Sequence, residues 1–268
     1  MSRRKDAVVM ELELGGKVFL VTGGSDGLGA AVALRLVKEG ARVAICARNP
    51  ERLEASASVL RGAGGDVLAV VADVTRAEHV DAFVDAAAAR WGRVDGLVNN
   101  AGAAAARPFP ELDDAAWEAD LQLKLFAAAR ASRRALPHLR AAGGGAIVNV
   151  LAISAKAPGP QSMPSSVSRA AGMALTKSLS KELGPEGIRV NAVLPGLIES
   201  GQWERRALAT NQPVETVYSQ LSKGSGIPLG RVGKAEEFAD VVAFLLSPRA
   251  GFVSGVALNV DGGQSPVV

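Results

Sequence analysis

"KVFLVTGGSDGLGAAVALRLVKEG", residues 17–40, decides how the chain is read. Its first eight residues are a continuous apolar run ending in glycines, the pattern of a strand buried on both faces. From Ala30 the apolar residues recur at helical spacing until Gly40 closes the segment. The join between them is rich in glycine. Gly23 permits a sharp turn, Gly27 lets the backbone approach a pyrophosphate, and Gly29 lets helix and strand pack closely, while the helix N-terminus offers free N–H groups to an anion. A tight strand-to-helix turn without a ligand has the same local look, so the rest of the chain must decide.

Working outward, the same strand-then-helix step repeats. Strands are expected at ARVAICAR (41–48), DVLAVVADV (66–74), VDGLVNNAG (94–102), GGAIVNVLAIS (144–154), IRVNAVLPG (188–196) and SGVALNVDGG (254–263). The segments between most of them carry helical periodicity, including one long helix over 113–140 and another over 165–183. Continuous apolar strands alternating with helices predict a parallel sheet covered on both faces. The expectation is a single doubly wound Rossmann-type α/β domain of about seven strands over residues 14–268, after a flexible tail, 1–13. Residues 197–234 are a polar, Gly-containing departure beyond the carboxyl end of a strand, where open α/β sheets bind ligands, and read as a substrate lid.

Composition narrows the function. Charged residues are 21% of the chain and the formal charge is only +3, with basic residues scattered after Arg3, Arg4 and Lys5, so a nucleic-acid surface is not expected. No apolar run approaches the ~20 residues of a membrane span, and the N-terminus lacks the apolar stretch of a secretory signal, which predicts a cytoplasmic protein without membrane contact. The one cysteine, Cys46, excludes an intramolecular disulfide framework and reads as a core residue.

TGGSDGLG (22–29), NNAG (99–102), ADV (72–74) and PG (195–196) stand in order on the expected elements, and with them the chain resembles the short-chain dehydrogenase/reductase family from about Leu14 to Gly263. The resemblance implies cofactor contacts at Gly23, Ser25, Asp26, Gly27, Leu28, Arg48, Asp73, Val74, Asn100, Ala101, Gly102, Arg169, Pro195, Gly196 and Ile198. At the end of the second strand Ala47 stands where an acid would bind a ribose 2′-OH, and Arg48 follows, which favours NADP(H) over NAD(H). Asp26 is an unfavourable neighbour for an added phosphate.

The catalytic positions depart from the family. There a tyrosine moves the proton, a lysine lowers its pKa and holds the nicotinamide ribose, a serine positions the carbonyl, and an asparagine supports a water relay. Laying that pattern on this sequence puts Ser165 at the tyrosine, Arg169 at the lysine, Ala152 at the serine and Lys124 at the asparagine. A register shift does not recover the phenol, because the only tyrosine is Tyr218, in the expected lid. A serine hydroxyl is far less acidic than a phenol, and a guanidinium does not shuttle protons.

Candidates to act instead are Ser165, Arg169, Lys124 and Ser154, with Lys156, Glu199 and Tyr218 as further neighbours; His79 and His138 read as surface residues. Burial lowers a lysine pKa and would suit Lys124 or Lys156 to acid–base work. Trp203, Arg205 and Arg206 in the lid fit pocket walls or plain surface. Three functions stay open: an oxidoreductase acting on a small-molecule carbonyl or alcohol with a different proton source, a non-redox cyclase, isomerase or lyase on the same scaffold, and a catalytically silent cofactor-binding or partner subunit. The helices at 165–183 and 236–247 carry small and apolar faces of the kind that build dimers and tetramers in the family, so a homo-oligomer is expected, a homotetramer in particular.

Overall fold

The computed structural model describes residues 10–268. Side chains on β1 (Val18–Thr22) alternate between two apolar layers: Phe19 and Val21 join one, Val18 and Leu20 the other. That is why the strand reads as an unbroken apolar run.

Six more strands lie parallel to it: β2 (Arg42–Ala47), β3 (Val67–Val71), β4 (Gly96–Asn99), β5 (Gly145–Val150), β6 (Ile188–Pro195) and β7 (Ala257–Val260). Their order is β3-β2-β1-β4-β5-β6-β7. The chain winds outward from β1 to β3, then crosses to β4 on the other side of β1. The carboxyl ends of β1 and β4 are therefore the topological switch point, where such sheets open a ligand crevice.

One face is covered by α1 (Gly27–Lys38), α2 (Pro50–Gly62) and α9 (Ala235–Leu246), through residues such as Leu36, Leu53 and Phe238. The other is covered by α3 (Ala77–Trp91), α5 (Ala127–Ala141) and the end of α6 (Ser165–Glu182), through Phe83, Ala131 and Leu179. The single α/β domain with a seven-stranded parallel sheet matches the expectation. Cys46 is fully buried, and desolvation pushes its thiol up to about 12 against an opposing bond from Gly23, which leaves an unreactive core side chain.

Four details differ from the sequence reading. Of the expected tail, residues 1–9 lie outside the described residues, but Leu12 is already in the core and Glu13 pairs with Arg249 at 2.6 Å. The helix over 113–140 is three pieces, α4 (Asp114–Leu121), a π-helical turn (Gln122–Phe126) and α5. The segment read as a polar lid carries two helices, α7 (Gly201–Ala209) and α8 (Val214–Ser225), whose sequences hide short amphipathic runs among charges. The apolar side of α9, expected to face a second subunit, packs into this chain's own core through Phe238, Val242 and Leu246.

Candidate active site

At the switch point β1 ends in the glycine loop. Gly23 has a left-handed φ of 69°, and a Cβ there would stand 2.9 Å from the Cα of Ala101. At Gly29 a Cβ would overlap the Gly23 carbonyl and the Asn100 amide nitrogen. Loop, helix and the end of β4 are thus as close as backbones can come. The NNAG segment ties them: Asn100 donates its amide to the Thr22 and Gly23 carbonyls (2.9 and 3.1 Å), and the backbone N–H groups of Asn100 and Ala101 donate to the Thr22 hydroxyl. Asp26 caps α1 by accepting from the Gly27 N–H at 2.7 Å.

Along the carboxyl edge of the sheet runs a cleft of about 650 Å³. Gly23, Ser25, Asp26, Gly27, Leu28, Arg48, Val74, Asn100, Ala101 and Gly102 line one part of it, and Lys124, Ala152, Ser165, Arg169, Pro195, Gly196 and Ile198 the other. Asp73 is not on the wall; its neighbours Ala72 and Val74 are. Its Oδ1 accepts from the Thr75 N–H and hydroxyl, and although burial acts upward, those bonds and the nearby Arg48 charge hold its carboxyl below the usual range.

The residues present fit a dinucleotide. The glycine cradle and the α1 N-terminus offer room and N–H groups to a pyrophosphate, and Arg48 and Arg52 line the far end beside β2. Ser200 also lines the cleft, and its buried hydroxyl has no hydrogen-bond partner among the described residues, a bond left over for a ligand. Helix α7 borders the cleft: Gln202, Trp203 and Arg205 line it, and Arg205 pairs with Asp26 at 2.8 Å. This bridge neutralises the carboxylate that stood as an unfavourable neighbour to phosphate. Both partners are about half exposed, so its contribution to stability is small.

At the positions where the resemblance implies a catalytic set, the chain builds a buried polar cluster. The π-helical turn, a form often found at functional sites, carries Lys124, which is only 5% exposed. Its amine is ion-paired with Asp120, one helical turn earlier, and donates to the Ser165 hydroxyl at 2.7 Å. The other Asp120 oxygen accepts from the Ser168 hydroxyl at 2.6 Å. Burial pulls the Lys124 amine below the usual lysine range, Asp120 acts to raise it, and Arg169 lowers it further. Arg169 donates to the Val150 carbonyl at 2.6 Å and is pushed down to about 10 by burial, with Asp120 opposing. A Cβ on Gly102 would stand 2.7 Å from its Nη2, so that glycine is the lid of the guanidinium's slot.

Several sequence candidates fall outside this cluster. Ser154 lies in a short 3-10 turn after Ala152 and does not line the cleft. Lys156 is tied to β7 through the Ala257 carbonyl (2.6 Å) and Asn259 (2.8 Å). Tyr218 sits half-buried on α8 and does not line the cleft; burial raises its phenol, as do Glu199 and Glu204. Glu199 is likewise off the wall. Arg206 lies over the Trp203 ring, 5.9 Å from its centroid. His79 is half-buried, its Nδ1 accepting from the Asp73 N–H, rather than a free surface residue. Asp120 and Ser168 escaped the sequence reading. The Asp-x-x-x-Lys spacing at 120–124, an i,i+4 pair, was the available signal for the first.

Residues 23–265 match the family described as enoyl-(acyl carrier protein) reductase. The chain is 39% identical to cis-4-hydroxycyclohexanecarboxylate dehydrogenase of Sinomonas cyclohexanicum, over 94% of this chain and 97% of that one. It is 41% identical, with a TM-score of 0.89, to an NADPH-bound short chain oxidoreductase of Pseudomonas aeruginosa PAO1 that contains an atypical catalytic center; the match covers 94% and 98% of the two chains. L-sorbose reductase of Gluconobacter frateurii, complexed with NADPH and L-sorbose, superposes with a TM-score of 0.91 at 35% identity, over 97% of this chain and 100% of that one. The chain belongs to the short-chain dehydrogenase/reductase family of oxidoreductases.

Proposed function

We propose that the protein is an NADP(H)-dependent oxidoreductase that interconverts a carbonyl and an alcohol on a small molecule, with Lys124 and Ser165 moving the proton in place of a tyrosine. The observation that carries this reading is the 2.7 Å bond from the Lys124 amine to the Ser165 hydroxyl on the cleft wall. Ser165 also accepts from the Ala105 N–H at 3.3 Å. With two donors aimed at its oxygen, its own O–H is free to point into the cleft.

When bound, the reduced nicotinamide supplies a hydride to the carbonyl carbon. Ser165 gives its proton to the oxygen that becomes the alcohol, and Lys124 gives one to Ser165, ending neutral. Arg169, fixed by Val150, presents a donor fork to the ribose hydroxyls, and the lid helix α7 excludes water. The NADPH-bound relatives support a nicotinamide cofactor, and Arg48 supports the phosphorylated form. Residues 197–234 act as the substrate lid.

The protein works in the cytoplasm as a homo-oligomer. Among the described residues no helix is long and apolar enough to cross a membrane. Val167, Ala170 and Ala174 form an exposed small-residue stripe on α6 suited to a second subunit.

The direct assay follows nicotinamide absorbance with cis-4-hydroxycyclohexanecarboxylate plus NADP⁺, and with L-sorbose and other carbonyls plus NADPH. Turnover of at least one is expected; tight NADPH binding with no turnover of any would overturn the redox reading. Arg48→Ala should weaken NADPH about 10- to 100-fold, the loss of one charge-assisted contact, and leave NADH affinity unchanged in calorimetric titrations. Equal losses for both cofactors would remove Arg48 from the phosphate site.

A further inference from the structure

We propose that Asp120 is a positioning residue of the proton step: shared between Lys124 and Ser168, its carboxylate holds the Lys124 ammonium against Ser165. The inference rests on the Lys124–Ser165 reading above and adds the group that makes it work. Asp120 is 4% exposed and belongs to α4, while its partners come from the π-helical turn and from α6. One oxygen meets Lys124 and the other meets Ser168, whose hydroxyl also reaches the Ser165 carbonyl at 3.1 Å. The carboxylate therefore joins the three segments that deliver Lys124 and Ser165.

A lysine aimed at a serine from a dry wall has two ways to fail. It can lose its charge to desolvation, or it can swing to another acceptor. The fixed carboxylate opposes both. Among the described residues the charged groups acting on Lys124 are Asp120 from α4 and Arg169 from α6. Arg169 disfavours its proton, so Asp120 is the group that retains it. Removing the carboxylate while keeping the shape, Asp120→Asn, should move the Lys124 titration to lower pH.

Two readouts test this. In protein carrying ¹³Cε-lysine, the Lys124 resonance is assigned by its loss in Lys124→Met and titrated with pH. Asp120→Asn should lower its midpoint by one pH unit or more, and Ser168→Ala, which removes one of two supports, by less in the same direction. In carbonyl reduction by NADPH, which needs the ammonium, kcat falls as pH rises through the Lys124 pKa. That falling limb should move to lower pH in parallel with the resonance.

An unchanged midpoint in both variants overturns the proposal, as does a shifted midpoint with an unmoved kcat limb. If Asp120→Asn fails to fold because it strands a buried cation, the double variant Lys124→Met/Asp120→Asn should fold, and Ser168→Ala carries the titration. Failure of the wild type to reduce any carbonyl would sink the oxidoreductase reading and with it the catalytic role of Asp120, whereas the resonance alone still decides whether the carboxylate holds the charge.

Discussion

Replacing Lys124 by methionine is expected to lower kcat for carbonyl reduction by about 10²- to 10⁴-fold, the usual worth of a general acid, with NADPH affinity nearly unchanged. The methionine keeps the unbranched stem as far as Cε and removes the ammonium that donates to Ser165. It also leaves the buried Asp120 carboxylate without its ion-pair partner, Ser168 being its remaining hydrogen-bond donor among the described residues, which should cost about 3–5 kcal/mol of stability. Adding Asp120→Asn should return most of that stability and none of the turnover. Urea unfolding and stopped-time assays on the single and double variants separate the two effects. Turnover restored together with stability would mean that Lys124 is structural.

A second large effect is expected at Gly29. An alanine Cβ there would overlap the Gly23 carbonyl and the Asn100 amide, both held by the ends of β1 and β4. Neither is the free end of a flexible chain, so the loop must open. Overpacking usually costs 1–3 kcal/mol and occasionally more; at least about 3 kcal/mol is expected for Gly29→Ala on that scale, with NADPH binding lost because the α1 N-terminus no longer faces the cleft. Trp203 lines that cleft, and its fluorescence gives the binding curve. Wild-type affinity in a Gly29→Ala protein would contradict the cradle.

The sheet and its switch point were legible because one physical rule, a strand buried on both faces followed by an amphipathic helix, repeats along the chain. The glycine loop was legible because its spacing reflects contacts made within the loop itself. Ser165, Arg169 and Lys124 could be placed by analogy, but their partnership could not, since it depends on α4, a π-helical turn and α6 meeting in space. The π turn has no sequence signature, so 113–140 reads as one helix although Lys124 faces the cleft from an irregular turn within it. Ser154 and Lys156 show the opposite case: both follow β5 closely in sequence, yet the chain turns at Ala152 and carries Lys156 toward β7. Leu12 and Leu14 reach the core from a Glu-Leu-Glu-Leu alternation (11–14) too short to stand out and outside any regular element.

In the proposed mechanism a lysine-supported serine moves the proton that a tyrosine moves elsewhere in the family. Comparing NADPH-driven carbonyl reduction by Ser165→Ala and by Tyr218→Phe tests it most directly, because Tyr218 is the only phenol in the chain. Tyr218→Phe is expected to keep wild-type kcat while Ser165→Ala loses about 10²-fold or more. A Tyr218→Phe protein that no longer turns over, beside an active Ser165→Ala, would contradict it.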